Sequence, residues 1–385
     1  MLRYLTAGES HGPAISAILE GLPAGVPVAA EEVNRDLKRR QGGYGRGRRM
    51  QIETDTIEIR GGVRHGKTMG GPVSLVVRNQ DWKNWTDVMS IEEADGPVRR
   101  RVTRPRPGHA DLAGGLKYDR RDLRDILERA SARETTMRVA VGAIARSLLA
   151  EFGIHVLSHV VRIGQVDADV SGLSNEQILE RAEASPVRCA DADAAQKMIG
   201  EIDRAKSLKD TIGGVFEVKV LNAPPGLGSH VQWDRKLDGR LAQAVMSIQA
   251  VKGVEIGLGF GVTRVLGSEV HDEIHYGDGR FYRETNRAGG IEGGMTEGEE
   301  IVVRGALKPI ATLMRTIMSV DIETKDAFDS AKERSDVCTV PAAGVIGEAV
   351  VAFVVADAMQ EKFGGDSLEE MKRNYQGYKD QLARY

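Results

Sequence analysis

The chain has 385 residues, with 53 Lys and Arg against 56 Asp and Glu and a formal charge of −3 at pH 7. Hydrophobic residues at 41% and charged residues at 28% describe a chain able to bury a sizeable core, which argues against disorder. No global positive field attracts nucleic acid, so any anion chemistry must come from local clustering.

Residues 1–12 (MLRYLTAGESHG) carry a charge by the third position and contain no apolar run, so a secretory leader is not expected. Glu31–Arg40 reads as a helix, with Val33 and Leu37 four apart, acids in the first turn and bases in the last. Glu134–Phe152 places Met137, Val141, Ile144 and Leu148 on one face and stops at Gly153. Gly214–Val220 alternates apolar and polar residues as a half-buried strand does. Arg235–Lys252 is a third predicted helix, with Leu237, Leu241, Val245 and Ile248 on its apolar face. Val254–Val262 reads as a strand whose other face holds Gly257, Gly259 and Gly261, open to close approach by a backbone or flat ligand. Ile301–Leu307 is a further strand, running into Lys308-Pro309. Ala342–Met359 is nearly long enough to cross a membrane, but Glu348 and Asp357 interrupt it. A helix extending to Phe363 and buried in a protein core is the expectation.

No tandem repeat or linker stands out, and the 45 glycines gather in short clusters between periodic segments. These features point to one domain spanning residues 1–385. Long helices and antiparallel-looking strands occur in both halves, so an α+β layered fold is expected. Cys189 and Cys338 make no disulfide framework and suit a reducing, cytoplasmic compartment.

Arginine is the loudest local signal. Lys38–Arg49 interleaves six cations with four glycines. Glycine lets backbone amides approach a ligand, and guanidinium forks bind phosphate or carboxylate bidentately. Arg99–His109 adds Arg104 and Arg106 beside a histidine. A third group holds Arg129, Arg133 and Arg138, and a fourth Lys308, Arg315, Lys332 and Arg334. Each could be a solvated charged face, and the first could be an RNA-binding Gly-Arg segment. Aromatic residues at only 5% leave few platforms for stacking bases. Four basic clusters in an acidic chain better suit a pocket for a small polyanion.

Gly8–Gly12 matches the G-x-S-x-G pattern of a hydrolase elbow, but only a few residues precede it, whereas an elbow follows several strands. Its Ser10 and His11 can instead present a hydroxyl and an imidazole to an anion. His109 stands in Arg-Pro-Arg-Pro-Gly-His-Ala-Asp111. The prolines stiffen the loop and place the imidazole between Arg106 and Asp111, as a proton-transfer group or a structural one. His271 with His275, and His155 with His159, show four-residue spacing without an evident third ligand or a shared helix face. A P-loop or dinucleotide-binding turn is not apparent.

The chain resembles the chorismate synthase family over nearly its whole length. The matching stretches are Gly8–Gly12 (GESHG), Arg39–Arg49 (RRQGGYGRGRR), Arg104–Asp111 (RPRPGHAD), Glu128–Glu134 (ERASARE), Met246–Gly257 (MSIQAVKGVEIG), Gly289–Met295 (GGIEGGM) and Lys308-Pro309. Arg129-Ala-Ser-Ala-Arg133 and Arg334-Ser-Asp-Val-Cys338 depart from the family's usual Arg-Ser-Ser-Ala-Arg and Arg-His-Asp-Pro-Cys while keeping the ionic groups. The resemblance implies helices sandwiched between antiparallel sheets, assembled as a homotetramer. It implies conversion of 5-enolpyruvylshikimate 3-phosphate to chorismate by loss of phosphate and a C6 proton. Reduced FMN would be required without net redox change. NADPH would serve as an indirect reductant touching Arg40 and Arg46, with a separate flavin reductase as a possible partner.

The same resemblance assigns roles residue by residue. Ser10, His11, Arg40, Arg46, Arg106, Arg133 and Arg334 would bind the substrate's anionic groups. His11 would be the acid at the phosphate, and His109 would meet the flavin's N1–O2 edge. Asp336 would assist removal of a proton from flavin N5. Flavin contacts would come from Arg129, Ala130, Ser131, Gln249, Ala250, Gly293, Lys308, Pro309, Ile310, Ala311, Thr312 and Arg334. Nucleic acid and membrane are not expected partners.

Overall fold

A computed structural model describes residues 1–47, 55–93, 96, 99–329 and 336–385. Arg48, Arg49, Lys332 and Arg334 lie outside the described residues.

The late apolar helix runs Val340–Phe363, with Pro341 in its first turn, where a missing amide proton leaves no hydrogen bond unmade. It is apolar on every side, so it must be enclosed rather than laid on a surface. Strands His155–Ile163 and Gly214–Leu221 pack against it, as do helices Ala30–Gln41, Thr135–Ala150 and Leu237–Met246. By length and composition this helix could cross a membrane, but 89% of its apolar window is buried inside the fold.

Helix Thr135–Ala150 rests in turn on strands Ala14–Glu20 and Val73–Arg78. These belong to a four-stranded antiparallel sheet in the order Arg3–Ala7, Ala14–Glu20, Val73–Arg78, Ile57–Gly61. The second sheet is also antiparallel, in the order Val251–Ile256, Ile301–Leu307, Gly214–Leu221, His155–Ile163, Val166–Asp167. The fold is therefore α+β, with central helices sandwiched between antiparallel sheets, as expected. The main hydrophobic cluster extends from Leu2 to Met371, and a small second one gathers Leu157, Ile178 and Ala190. Helices Thr135–Ala150 and Val340–Phe363 approach closely at Gly142, where an added Cβ would lie 2.4 Å from Ala349 Cα.

Two predicted elements need correction. The helix expected over 235–252 ends at Met246, because the backbone of Val251–Ile256 pairs with Ile301–Leu307. Ala250, at a φ of 70°, makes the turn between them. The strand expected over 254–262 stops at Ile256, where Gly257 turns to a φ of 58°, and Gly259–Arg264 coils into a 3₁₀ helix. Tertiary pairing decided both boundaries against local periodicity.

Charge inside the apolar helix is matched by arginine. Glu348 is 1% exposed. It accepts from both terminal nitrogens of Arg39 at 2.8 Å, from Arg146 at 2.9 Å and from the Ser158 hydroxyl at 2.8 Å, with Arg188 at 3.3 Å. Burial alone would raise the Glu348 carboxyl, but Arg39, then Arg146 and Arg188, outweigh it and hold it at about 2. Asp357 accepts from the Leu2 amide at 2.6 Å and from Arg240. Cys189 and Cys338 are both buried free thiols, each pushed up to about 11 by burial.

Glu348→Ala should cost about 3–5 kcal/mol in urea unfolding, because it strands buried arginines without their anion. The wild-type pair should contribute fully above about pH 4.5, the ordinary carboxyl value, and fade as pH falls toward about 2. Glu348→Gln should therefore lose less stability than wild type across that acid window. Equal slopes for the two proteins would show that Glu348 does not titrate with unfolding.

Candidate active site

A cleft of about 2180 Å³ opens where the loops at one end of both sheets meet the first turns of the central helices. A single small molecule typically occupies roughly 300–1,000 Å³, so this cleft can hold two. Its described walls carry eight cationic side chains (Arg46, Arg101, Arg104, Arg106, Arg124, Lys206, Lys209, Lys308) against four carboxylates (Asp203, Asp210, Asp321, Asp336). A chain of net charge −3 thus encloses a locally positive pocket.

The Gly-Arg segment supplies one wall. Helix Ala30–Gln41 ends at Gly42, and the loop turns across the N-terminus of helix Val340–Phe363. Gly43 has a φ of 108°, and a Cβ there would meet Pro341 Cβ at 2.9 Å, so neither the turn nor the packing accepts a side chain. Tyr44 donates its hydroxyl to Asp203 at 2.9 Å. Arg46 reaches Asp336 at 3.1 Å, and the Gly47 amide donates to the other Asp336 oxygen at 2.6 Å. Loop and carboxylate hold each other at the cleft edge.

Neighbouring arginines in this segment have separate fates. Arg39 goes to Glu348 inside the fold. Arg40 is 6% exposed, donates to Thr135 Oγ1 at 2.9 Å and to the Ala132 carbonyl at 3.0 Å, and lies 3.6 Å from Asp55. Arg133 pairs with the same Asp55 at 3.2 Å. Neither Arg40 nor Arg133 is among the cleft-lining residues, and together they brace the wall that carries Ala130, Ser131 and Ala132.

His11 lies in the loop joining strands Arg3–Ala7 and Ala14–Glu20. Its Nδ1 is 2.9 and 3.0 Å from the two oxygens of Glu128, and its backbone amide donates to Glu128 Oε2 at 2.8 Å. Arg124 donates to the same carboxylate at 3.0 Å from one turn earlier in helix Arg124–Ala130. Burial opposes ionisation of Glu128, but its bonds from His11 and Arg124 prevail and hold the carboxyl below its ordinary range. The Trp85 ring covers His11 at 3.8 Å between centroids. Next to it, Ser131 donates its hydroxyl to that of Ser10 at 3.1 Å.

His109 sits in the proline-stiffened loop that leads into helix Asp111–Tyr118. Asp111, fully buried, accepts from Arg106 Nε at 2.9 Å and from Arg106 Nη2 at 3.1 Å, and lies 2.6 Å from His109 Nδ1. Burial would raise the Asp111 carboxyl, but hydrogen bonds from His109 and Arg106 outweigh it and drive it well below the carboxylate range. Lys308 donates to the Gly108 carbonyl at 2.7 Å, tying this loop to the end of strand Ile301–Leu307. His109 thus occupies the place between Arg106 and Asp111 that the sequence suggested.

Of the other expected site residues, Ser10, Ala130, Ser131, Gln249, Ala250, Lys308, Ile310, Ala311 and Thr312 line the cleft, with Pro309 between two of them. Arg129 instead donates to the Thr6 and Gly8 carbonyls. Gly293 sits in the hairpin joining Ile291–Glu292 to Met295–Thr296, outside the cleft lining. Arg334 lies outside the described residues. Sequence reasoning missed Trp85, Arg124, Asp55, Lys206 and Lys209, and gave Glu128 no role of its own. Only Arg124 and Glu128 left a readable trace, a four-residue helical spacing beside a matched motif.

Two buried polar atoms in the cleft wall have no hydrogen-bond partner among the described residues: Gln249 Oε1 and Arg46 Nε. Gln249 Nε2 donates to Glu134 at 3.3 Å, which fixes the amide with its oxygen as the open acceptor. An orphaned acceptor and donor are costly unless a ligand answers them. A ligand bearing both N–H groups and anionic oxygens, as a flavin nucleotide does, fits this wall.

Residues 2–360 match the family model described as chorismate synthase. The chain is 58% identical over 393 aligned residues to the chorismate synthase of Geobacter metallireducens, covering 100% of both chains. It is 59% identical over 390 residues to that of Symbiobacterium thermophilum, again covering 100% of both. A crystal structure of chorismate synthase superposes with a TM-score of 0.80 at 46% identity, covering 100% of this chain and 99% of the other.

Asp111→Asn should leave the fold intact but lower its unfolding free energy by roughly 1.5–3 kcal/mol, the range for charge-assisted hydrogen bonds. Thermal and urea denaturation measure this. A loss within about 0.5 kcal/mol, as at an ordinary surface site, would show that Arg106 and His109 do not depend on it.

Proposed function

This chain belongs to the chorismate synthase family, and we propose that the cleft just described is where it performs that family's reaction. The enzyme is a lyase that forms chorismate from 5-enolpyruvylshikimate 3-phosphate by anti-1,4-elimination of phosphate. The observation that carries the assignment of the site is the gathering of two carboxylate-held histidines and an excess of cations around one cavity large enough for substrate and cofactor.

The substrate brings a phosphate and two carboxylates, which Arg46, Arg106 and Lys308 and their neighbours would neutralise. His11, its Nδ1 occupied by Glu128, protonates or hydrogen-bonds the departing phosphate through Nε2. Preorganised positive charge along the cleft wall stabilises that leaving group without reorganisation. Asp336, held through both oxygens at the cleft edge, would assist removal of the proton from flavin N5. Ser10 and Ser131 add hydroxyl donors beside His11. Arg40 and Arg133 contribute by bracing this wall through Asp55.

The family requires reduced flavin, and reduced FMN would lie along Ala130, Ser131, Gln249, Ala250 and Lys308 to Thr312, with His109 beside it. When bound, it supplies transient electron density for breaking the C–O bond with no net redox change. Gln249 Oε1 would accept one of its N–H groups. NADPH would act as indirect reductant. Of the two arginines expected to meet it, Arg46 lines the cleft and Arg40 is buried behind it. The reading extends to one domain working as a homotetramer in the cytoplasm and drawing on a separate flavin reductase.

Anaerobic phosphate release from 5-enolpyruvylshikimate 3-phosphate tests the reading: turnover is expected with photoreduced FMN and none with oxidised FMN. Steady release with oxidised flavin alone would overturn the cofactor's role. Arg46→Ala should raise KM about tenfold or more while the fold persists, since it removes a charge-assisted contact. His11→Ala and His109→Ala should each lower kcat at least about tenfold. Only His109→Ala should change the absorbance spectrum of bound reduced FMN. Near-normal kcat in both folded variants would return the two histidines to purely structural roles.

A further inference from the structure

We propose that Glu128 is a positioning residue for the elimination: its buried carboxylate fixes His11 in one place and sets a negative charge beside its ring. The proposal rests on the reading of His11 as the group facing the phosphate.

The geometry distinguishes this carboxylate from an incidental pair. Glu128 is 3% exposed and touches His11 at both ring and backbone, so it fixes the imidazole's position and its rotation together. The Ser10 amide donates to the Glu128 carbonyl at 3.0 Å, binding the Ser10-His11 loop to the same helical residue. With Nδ1 held against Glu128, the ring is oriented and Nε2 lies on the side away from the carboxylate.

Charge is the second part of the argument. The surrounding cleft carries an excess of cations. Arg124, on the helix of Glu128, shares the carboxylate, and Arg100 lies 4.5 Å above the Trp85 ring. Against these cations stand the Glu128 carboxylate and the π face of Trp85, whose ring centroid is 3.8 Å from that of His11.

Glu128→Gln keeps the shape and one acceptor but removes the charge. In this variant the alkaline limb of the kcat/KM profile should move down by about 1 pH unit or more, the effect of losing an adjacent opposite charge. Activity at the acid end should stay near wild type. In the His11→Ala background the same substitution should change kcat less than about twofold, as expected when one residue acts through the other. Glu128→Asp, which retains the charge, should keep the alkaline limb in place and provides a second variant if Gln does not fold.

Calorimetry of substrate binding without turnover, in buffers of different ionisation enthalpy, should show more proton uptake in Glu128→Gln than in wild type at pH 7.5. An unmoved profile, an equal penalty with and without His11, or equal proton uptake would overturn the role of Glu128 alone. A near-normal kcat in His11→Ala would overturn the reading of His11 and this proposal with it.

Discussion

A carboxylate buried in the middle of a 24-residue apolar helix is the constraint around which the rest of the molecule is arranged. Glu348 cannot reach water, so its charge must be met inside. Three arginines from three different segments meet it: Arg39 on helix Ala30–Gln41, Arg146 on helix Thr135–Ala150, and Arg188 beside strand His155–Ile163. Apolar packing is non-directional, whereas a bidentate Arg–carboxylate pair tolerates little displacement. Glu348 therefore does what the small residues around it cannot, and sets the helix against its neighbours at a particular height. Arg39 also starts the Gly-Arg loop, so the position of the cleft wall follows from the charge at the centre of the fold.

The same rule sorts the molecule's arginines. An arginine that faces a buried carboxylate behind the cleft wall is structural, and one that lines the cleft remains able to meet a ligand. Arg39 and Arg40 fall on the first side through Glu348 and Asp55, and Arg46 on the second. Adjacent residues on a helix point about 100° apart, so Arg39 meets the core and Arg40 the wall, while the loop beyond Gly42 carries Arg46 to the cleft. The overall negative charge is no obstacle to an anion site, because many acids sit behind the wall or on the outer surface while the cleft keeps the excess of cations.

This sorting explains what could be read in advance. The Glu31–Arg40 and Ile301–Leu307 elements, the buried Ala342–Phe363 helix and the layered α+β class were legible, because periodicity and end charges report local structure directly. The Arg106–His109–Asp111 group was legible because its members lie within six residues on a loop stiffened by proline. The partner of His11 was not, since Glu128 is 117 residues away. Trp85 left no periodic signal at all. The division of Arg40 and Arg133 from Arg46 depends on Asp55, whose approach is a property of the folded chain. The ends of the third predicted helix and of the glycine-lined strand were misread because Ile301–Leu307 captured Val251–Ile256 as its sheet neighbour.

The two histidines show how one device yields two environments. Each offers Nδ1 to a buried carboxylate that also holds an arginine: Glu128 with Arg124, and Asp111 with Arg106. Sharing keeps each carboxylate ionised, because protonating it would break two charge-assisted bonds at once. The second neighbour differs. The ring of His11 is covered by an indole, which welcomes positive charge on it. The ring of His109 has the Arg106 guanidinium 3.2 Å from its Nδ1. One imidazole is thus packed against an indole, and the other stands beside a fixed cation. A chemistry that needs an acid at one end of a cavity and a polar edge at the other can be met by the same residue type twice.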